Sequence, residues 1–349
     1  MTLEMQIKTE ATRLGFNFCG ITQPSPPLHY DTYLHWLAEG CHAGMTYLAR
    51  PDALQKRADP HELLPSCQSI LCLGMRYAPP RTSEPSESRP PLGYIAAYAL
   101  SPDYHQEVAQ QLEKLIQEIK AMVDVPVQAK ACVDTAPIME KDYAQQAGLG
   151  WIGRHSCLIN PFVGSYCFLA EVLLDLPLEP DHPYIEDGCA NCTRCIDACP
   201  TNAIRPDRTI DARRCLSYLT IEHRGPIPED LRPLMGKRIF GCDTCQVVCP
   251  YNQTQNLDEH PLTLTHIVNP RPDLLESLLL SEDAFKKKYQ QTSLMRTRYQ
   301  GFRRNVAIAL GNNPIPAAKP LLQDLSENDP DPLIGDACLW ALTHYDSVA

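Results

Sequence analysis

Four cysteines and a proline fall within the thirteen residues GCANCTRCIDACP (188–200), and nothing else in the 349-residue chain restricts its fold as tightly. Cys189, Cys192, Cys195 and Cys199-Pro200 follow C-x2-C-x2-C-x3-C-P. That is the bacterial ferredoxin run for a [4Fe–4S] cluster, whose fourth cysteine ligates the other cluster of a pair. A second cluster is therefore required. Cys242, Cys245 and Cys249-Pro250 supply it, spaced C-x2-C-x3-C-P, with Cys215 as the additional thiolate. Exchanging the last cysteine of each run assigns Cys189, Cys192, Cys195 and Cys249 to one cluster and Cys199, Cys215, Cys242 and Cys245 to the other. Tetrahedral zinc would need two separated CxxC pairs and would leave both CxxxCP ends without a role.

The chain has sixteen cysteines, and the other eight (19, 41, 67, 72, 132, 157, 167 and 338) are scattered, several within apolar runs, as small buried hydrophobes are. A disulfide framework is not expected in a reducing compartment. The first sixteen residues are charged and helix-patterned, with no apolar signal core or twin-arginine pair. No stretch approaches eighteen consecutive apolar residues. Cytoplasmic location without membrane attachment is the expectation. A net charge of −11 excludes a surface that grips nucleic acid all over, yet leaves room for one basic face.

Three regions differ in texture. Residues 1–180 alternate strand and helix signals: Thr9–Leu14 and Tyr33–Leu37 are helical, and Ile70–Met75 and Val125–Val133 are strand-like. A long helix follows residue 103, with Val108, Leu112, Leu115, Ile116 and Ile119 on one face. This predicts an α/β or α+β first domain. The Pro- and Ser-rich stretch 79–91 is expected to be a mobile loop. Residues 181–260 form the cysteine-dense, ferredoxin-like second domain. Residues 261–349 turn to short amphipathic helices of HEAT-like character, one ending at Gly311 as a C′ residue, another burying Ile334, Ala337, Cys338, Ala341 and Leu342.

In CVDTAPIMEKDYAQQAGLGWIGRHSC (132–157), a strand end leads into a helix predicted to begin at Asp134/Thr135, with Pro137 just inside and a stop at Gly148. Asp134 is either the N-cap of that helix or a carboxyl at a strand end facing a pocket, able to give a proton to a reduced substrate.

Three blocks in this order, VDTAPIMEKDYAQQAGLGWIGRHS, the cysteine runs with RRCLSYLTIEHRG, and RTRYQGFRRNVAIALGN, resemble the epoxyqueuosine reductase family along the whole chain. The resemblance implies a cobalamin-dependent iron–sulfur enzyme that removes the epoxide oxygen of epoxyqueuosine at the tRNA wobble position, the last step of queuosine biosynthesis. It makes the first domain the cobalamin-binding catalytic one. It gives Asp134 the role of proton donor, which near neutral pH needs a raised pKa. It also implies cobalamin bound base-off with no protein histidine on cobalt. DPHELL (59–64) agrees, having Leu64 where the D-x-H-x-x-G motif needs glycine, so His61 is not expected as a ligand.

Asp243 lies between two ligands of the second cluster and Ser217 follows Cys215 by two, so both are expected near that cluster and the corrin. Arg57, Lys141, His155 and Ser156 match family segments expected to hold the corrin's amides or nucleotide phosphate. Between 286 and 304, Lys286, Lys287, Lys288, Arg296, Arg298, Arg303 and Arg304 are interleaved with Tyr289, Tyr299 and Phe302. This stretch suits phosphates and unstacked bases, and the helical domain is expected to cradle the anticodon loop, with Arg224 near the catalytic pocket. A monomer fed by a donor such as flavodoxin or ferredoxin is expected. The rival readings are a corrinoid reductive dehalogenase-like enzyme, a two-cluster electron-transfer protein, and a nucleic-acid binder with structural clusters.

Overall fold

The structure is a computed structural model that describes residues 1–77, 91–253 and 266–345. The loop expected at 79–91 therefore lies, apart from Pro91, outside the described residues. The first half of the chain runs α1 (Leu3–Arg13), β1 (Phe18–Thr22), α2 (Tyr30–Ala38), α3 (Pro51–Ala58), β2 (Ser69–Arg76), β3 (Tyr94–Ile95), α4 (Tyr104–Ala121), β4 (Ala129–Cys132), α5 (Glu140–Gln146), β5 (Trp151–Ile152), β6 (Leu158–Ile159) and β7 (Cys167–Leu174). Four of these strands form one antiparallel sheet in the order β1-β2-β7-β4. The alternation in the sequence thus resolves into an α+β arrangement rather than parallel βαβ units.

Burial explains the layering. Every residue of β2 is buried, because the strand is central and covered on both faces. On one face Leu71, Leu73, Val172 and Leu174 pack against Ile7 and Ala11 of α1 and the predicted stripe Val108, Leu112, Leu115, Ile116 and Ile119 of α4. On the other face Ile70, Cys72, Cys132 and Leu173 meet Tyr143 and Ala144 of α5 and Ala147 at its C-cap. Each fully covered aliphatic side chain contributes about 1.5–3 kcal/mol. Two sequence expectations shift here. The strand expected over Val125–Val133 is confined to β4, and the helix expected from Asp134 begins only at Glu140, after Pro137.

The second half runs α6 (Arg194–Asp197), α7 (Leu216–Ile221), α8 (Arg232–Met235), β8 (Arg238–Phe240), α9 (Thr244–Val247), α10 (Leu274–Leu278), α11 (Glu282–Tyr289), α12 (Arg298–Asn312), α13 (Lys319–Asn328) and α14 (Pro332–Leu342). β3 and β8 pair in parallel and tie the two halves together. One buried cluster joins Ile95 and Leu100 to Leu216, Leu219, Ile239 and Phe240, and onward to Phe302, Val306, Leu310, Ile334 and Ala341. The helical C-terminal segment therefore shares its core with residues that follow the first cysteine run. Gly311 is not a helix stop: α12 continues to Asn312, and a Cβ there would meet the Cα of Ala341 at 2.8 Å, so glycine lets α14 approach. No helix among the described residues is long and apolar enough to cross a membrane.

Candidate active site and cluster ligands

The eight predicted thiols sort in space as the spacing requires. The Trp151 indole N–H donates to the Cys189 Sγ at 3.4 Å, and Cys249 is buried with Trp151 and Ile159, with Cys189 packed against the same group. Burial pushes the Cys195 thiol up to about 11, and the neighbouring Cys189 and Cys192 add to the shift. Cys215, likewise pushed up to about 11 by burial, feels Cys242 and Cys199, and Cys245 feels Cys242 and Cys215. Cys249 thus sits with the first run, and Cys199 and Cys215 with the second. All sixteen cysteines are free. Among the described residues no three His, Cys, Asp or Glu side chains gather as a single-ion site. Two interleaved sets of four thiols fit a pair of iron–sulfur cubes, whose iron would hold the sulfurs as thiolates.

Asp134 follows β4 with φ of +41°, in the left-handed region that aspartate tolerates better than most residues. Its Oδ2 lies 2.8 Å from His105 Nε2, and His105 Nδ1 lies 2.7 Å from Asp103 Oδ1. Asp103 is also the N-cap of α4, accepting the His105 backbone N–H at 3.1 Å. The imidazole is thus clamped between two carboxylates. Their hydrogen bonds outweigh burial and raise the His105 pKa to about 9. For Asp134, burial opposes ionisation, but the hydrogen bond and charge of His105, joined by Arg296 and Tyr104, win and hold its carboxyl below the usual range. The raised pKa expected of Asp134 is therefore found on its partner. In this arrangement the proton resides on His105, and the Asp134 side chain, 43% exposed, faces solvent as an anion.

Sequence reasoning missed His105, Asp103 and Glu140, whose Oε1 accepts the Asp134 N–H at 2.8 Å. The D-Y-H stretch carried an N-cap signal, but nothing local revealed that the histidine reaches 29 residues forward to Asp134.

A cavity of about 620 Å³ is lined by α2, α5 and the turn after β5; Glu140 is among its lining residues, whereas Asp134 and His105 are not. Of the residues expected to hold the corrin, Lys141, His155 and Ser156 line it. Lys141 Nζ donates to the Ser156 carbonyl at 2.6 Å. His155 is 1% exposed, and its Nδ1 accepts the Cys157 N–H at 3.3 Å. That leaves Nε2–H as a donor without a partner, which suits a ligand acceptor such as an amide or phosphate. The donor set therefore fits a cobalamin. Arg57 stands one layer back, its guanidinium 5.5 Å from the ring of Tyr33, which lines the cavity. Asp243 and Ser217 are not among the lining residues: Asp243 is buried, accepting from the Tyr94 hydroxyl and the Ala97 N–H at 2.7 Å each, and Ser217 lies on α7. His61 is held by Asp59 at 2.7 Å, away from the cavity.

The basic segment divides. Arg296 pairs with Glu222, reaches the Tyr47 hydroxyl at 3.4 Å and carries charge toward Asp134. Arg224 donates to the Thr297 carbonyl at 3.2 Å and senses the charges of Arg298 and Arg296. These three arginines and Asp134 occupy one neighbourhood. Lys286 and Lys287 are exposed in the last turn of α11, Lys286 pairing with Glu282 at 2.8 Å. Arg303 departs from expectation, because it turns inward to Asp329 and stacks on Tyr299. Arg304 is buried too, donating to the carbonyls of Leu219, His223 and Gly225. Tyr289 and Phe302 pack in the core with Phe285, and the Tyr299 hydroxyl donates to the Leu280 carbonyl at 2.6 Å. Helical periodicity accounts for this: α12 is buried along most of its length, so Phe302 and Arg304 face the core.

The description "4Fe-4S double cluster binding domain" matches residues 188–252. Among solved structures, epoxyqueuosine reductase from Streptococcus thermophilus superposes with a TM-score of 0.90 at 28% identity, covering 99% of this chain and 91% of its own. The Bacillus subtilis enzyme, with its catalytic aspartate loop swung out of the active site, gives 0.89 at 30%, covering 98% and 90%. A complex of epoxyqueuosine reductase with an epoxyqueuosine-modified tRNA-Tyr stem loop gives 0.86 at 30%, with the same coverage. Fold and thiols together define a two-cluster iron–sulfur protein of mixed α and β structure. "Epoxyqueuosine reductase QueG, DUF1730" matches residues 57–135, and the epoxyqueuosine reductase of Escherichia coli (strain K12) is 40% identical over 347 residues, 97% of this chain and 89% of its own. The chain belongs to the epoxyqueuosine reductase family.

Proposed function

We propose that this chain reduces epoxyqueuosine to queuosine at the wobble position of tRNA. Two electrons and two protons are consumed, and the epoxide oxygen leaves as water with an alkene in the ring. The observation that carries this reading, in a chain of this family, is the Asp134–His105 pair, tied through the Asp134 N–H to Glu140 on the wall of a cavity with an unpartnered His155 donor. When bound, cobalamin would supply a reduced cobalt centre able to open the strained C–O bond. Lys141, His155 and Ser156 would hold its amides or nucleotide phosphate, Arg57 would stiffen the Tyr33 wall, and Asp243 and Ser217 would lie toward the second cluster. No histidine of the chain is assigned to cobalt.

Asp134 delivers the proton to the departing oxygen, and His105 holds that proton in reserve, with Asp103 fixing the ring. Their shared hydrogen bond lets the proton pass to the carboxylate as negative charge develops on the oxygen. Arg224, Arg296 and Arg298 receive the anticodon-loop phosphates around this group, with Lys286 and Lys287 farther along the helical segment. Residues 1–180, 181–260 and 261–349 divide the work into catalysis, electron entry and tRNA binding. The chain acts as a monomer in the cytoplasm, reduced by a flavodoxin- or ferredoxin-type donor.

Anaerobic reconstitution with iron, sulfide and cobalamin, followed by nucleoside analysis of tRNA bearing the epoxide, tests the proposal. Corrin absorption retained after gel filtration and conversion to queuosine are expected. Loaded clusters without corrin retention or product would overturn it.

A further inference from the structure

Two carboxyls lie close to Asp134, the partly exposed Glu140 on the cavity wall and the fully buried Glu171. Glu140 opens α5, and its Oε1 takes the Asp134 backbone N–H at 2.8 Å. Glu171 is at the middle of β7, its register neighbours being Cys72 on β2 and Cys132 on β4. It is 0% exposed, and neither of its oxygens has a hydrogen-bond partner among the described residues. A carboxyl so placed on the central strand of a sheet destabilises the fold, since burying an unpaired polar group is unfavourable even when it is neutral. Apolar packing would serve the sheet better.

We infer that Glu140 is a positioning residue for Asp134, its carboxylate gripping the Asp134 peptide N–H and so holding the left-handed turn that aims the Asp134 side chain at His105. Glu171 is the neutral backstop of this latch. The inference rests on Asp134 acting as the proton donor.

The charges around the pair decide which carboxyl ionises. Glu140 faces Asp134 from the loop after β4, Lys141 on its own helix, Arg57 of α3 and Tyr104 of α4. Burial and the Asp134 charge push its pKa up to about 7, against the Asp134 N–H, Lys141 and Arg57. Among the described residues the one charged group that shifts Glu171 is Glu140, and burial pushes its pKa well above the usual range. Two close carboxyls do not ionise together, so Glu140, on the cavity wall with Lys141 and Arg57 nearby, carries the charge and the fully buried Glu171 keeps its proton.

Because Glu140 and Asp134 repel, their protons are linked. While the Asp134–His105 pair holds its proton, the imidazolium offsets the Asp134 charge, so Glu140 ionises more readily and its grip tightens. Once the pair has given its proton away, the uncompensated Asp134 anion raises the Glu140 pKa, and a neutral carboxyl accepts the N–H more weakly. The latch is firm when the acid is loaded and slack when it is spent, which suits a loop that must admit and release a bulky nucleoside. The swung-out aspartate loop of the Bacillus subtilis enzyme is a position that such release would allow.

Hydrogen exchange of the peptide spanning residues 133–139, measured on the cluster-loaded full chain and corrected for intrinsic exchange rates, tests the latch. In the wild type, protection is expected to fall by up to about tenfold as pH drops through the Glu140 pKa of about 7. Glu140→Gln and Glu140→Ala should give low protection with no pH dependence, and Glu140→Gln should lower kcat with KM for tRNA unchanged. Glu171→Gln should leave the midpoint in place, since Glu171 is already neutral. Asp134→Asn keeps its backbone N–H, so its midpoint should move lower once the aspartate charge is gone. Protection that ignores pH in the wild type, or persists in Glu140→Ala, overturns the latch. Turnover in Asp134→Asn is a separate readout: wild-type turnover there would sink the proton-donor role and leave the exchange result to stand on its own.

Discussion

The cluster segment and the Asp134 loop lie side by side in function but differ in how their chemistry is written. In the cluster segment, chemistry is carried by spacing: three cysteines within seven residues converge because short turns and one-turn helices such as α6 and α9 leave them no other arrangement. Around Asp134, chemistry is carried by long-range contact. Asp103 and His105 arrive from the start of α4 and Arg296 from just before α12, none of them near Asp134 in a motif, and only Glu140 comes from the same block, six residues on. A ligand set can be read from the order of residues; a proton's location depends on which side chains the fold brings to it.

The largest effect expected from breaking this contrast is at the shared ligands. Cys249→Ala should lower bound iron from about eight to about four atoms per chain and abolish turnover if, as the spacing assigns it, Cys249 completes the cluster of Cys189, Cys192 and Cys195. Spectra matching loss of the other cluster would break the crossed assignment. Next, Asp134→Asn should lower turnover by about 10²- to 10⁴-fold with both clusters and the corrin retained. An unaffected rate would remove Asp134 from the chemistry.

His105→Gln sharpens the comparison, because its effect depends on pH. The His105 pKa is raised from 6.5 to about 9, so the stabilisation from its two carboxylate bonds is complete below 6.5 and is lost as pH rises through about 9. The wild-type rate should therefore hold until that upper limit. In the variant the decline should begin at lower pH, with a loss of about tenfold or more near pH 8. A pH profile identical to the wild type would show that the proton is held elsewhere. The smallest effects fall in the basic segment. Arg298→Glu should weaken tRNA binding by about three- to tenfold and flatten its salt dependence. Arg303→Ala should leave tRNA affinity unchanged and lower the melting temperature, since Arg303 is buried against Asp329. A tRNA affinity that falls equally in both variants would contradict this division.

The sequence made the grouping of the eight thiols, the β2 core strand and the α4 stripe legible, since each rests on a short-range period of spacing or hydrophobicity. It misplaced the start of α5 because Asp134, Thr135 and Pro137 look like a helix entry, whereas the Asp134 N–H is taken by the Glu140 carboxylate and Asp134 has a positive φ. It read Gly311 as a stop because glycine ends helices as often as it admits a neighbour, and only the proximity of Ala341 decides between them. It counted Arg303, Arg304, Tyr289 and Phe302 as a nucleic-acid surface because composition carries no direction, and a helix buried on most sides turns such residues inward.

The most direct test compares queuosine formed per electron delivered in the wild type and in Asp134→Asn, both with full clusters and bound corrin. One queuosine per two electrons in the wild type, and electron uptake without queuosine in the variant, is the predicted result. Queuosine formed at the same yield and rate by both proteins would contradict the account.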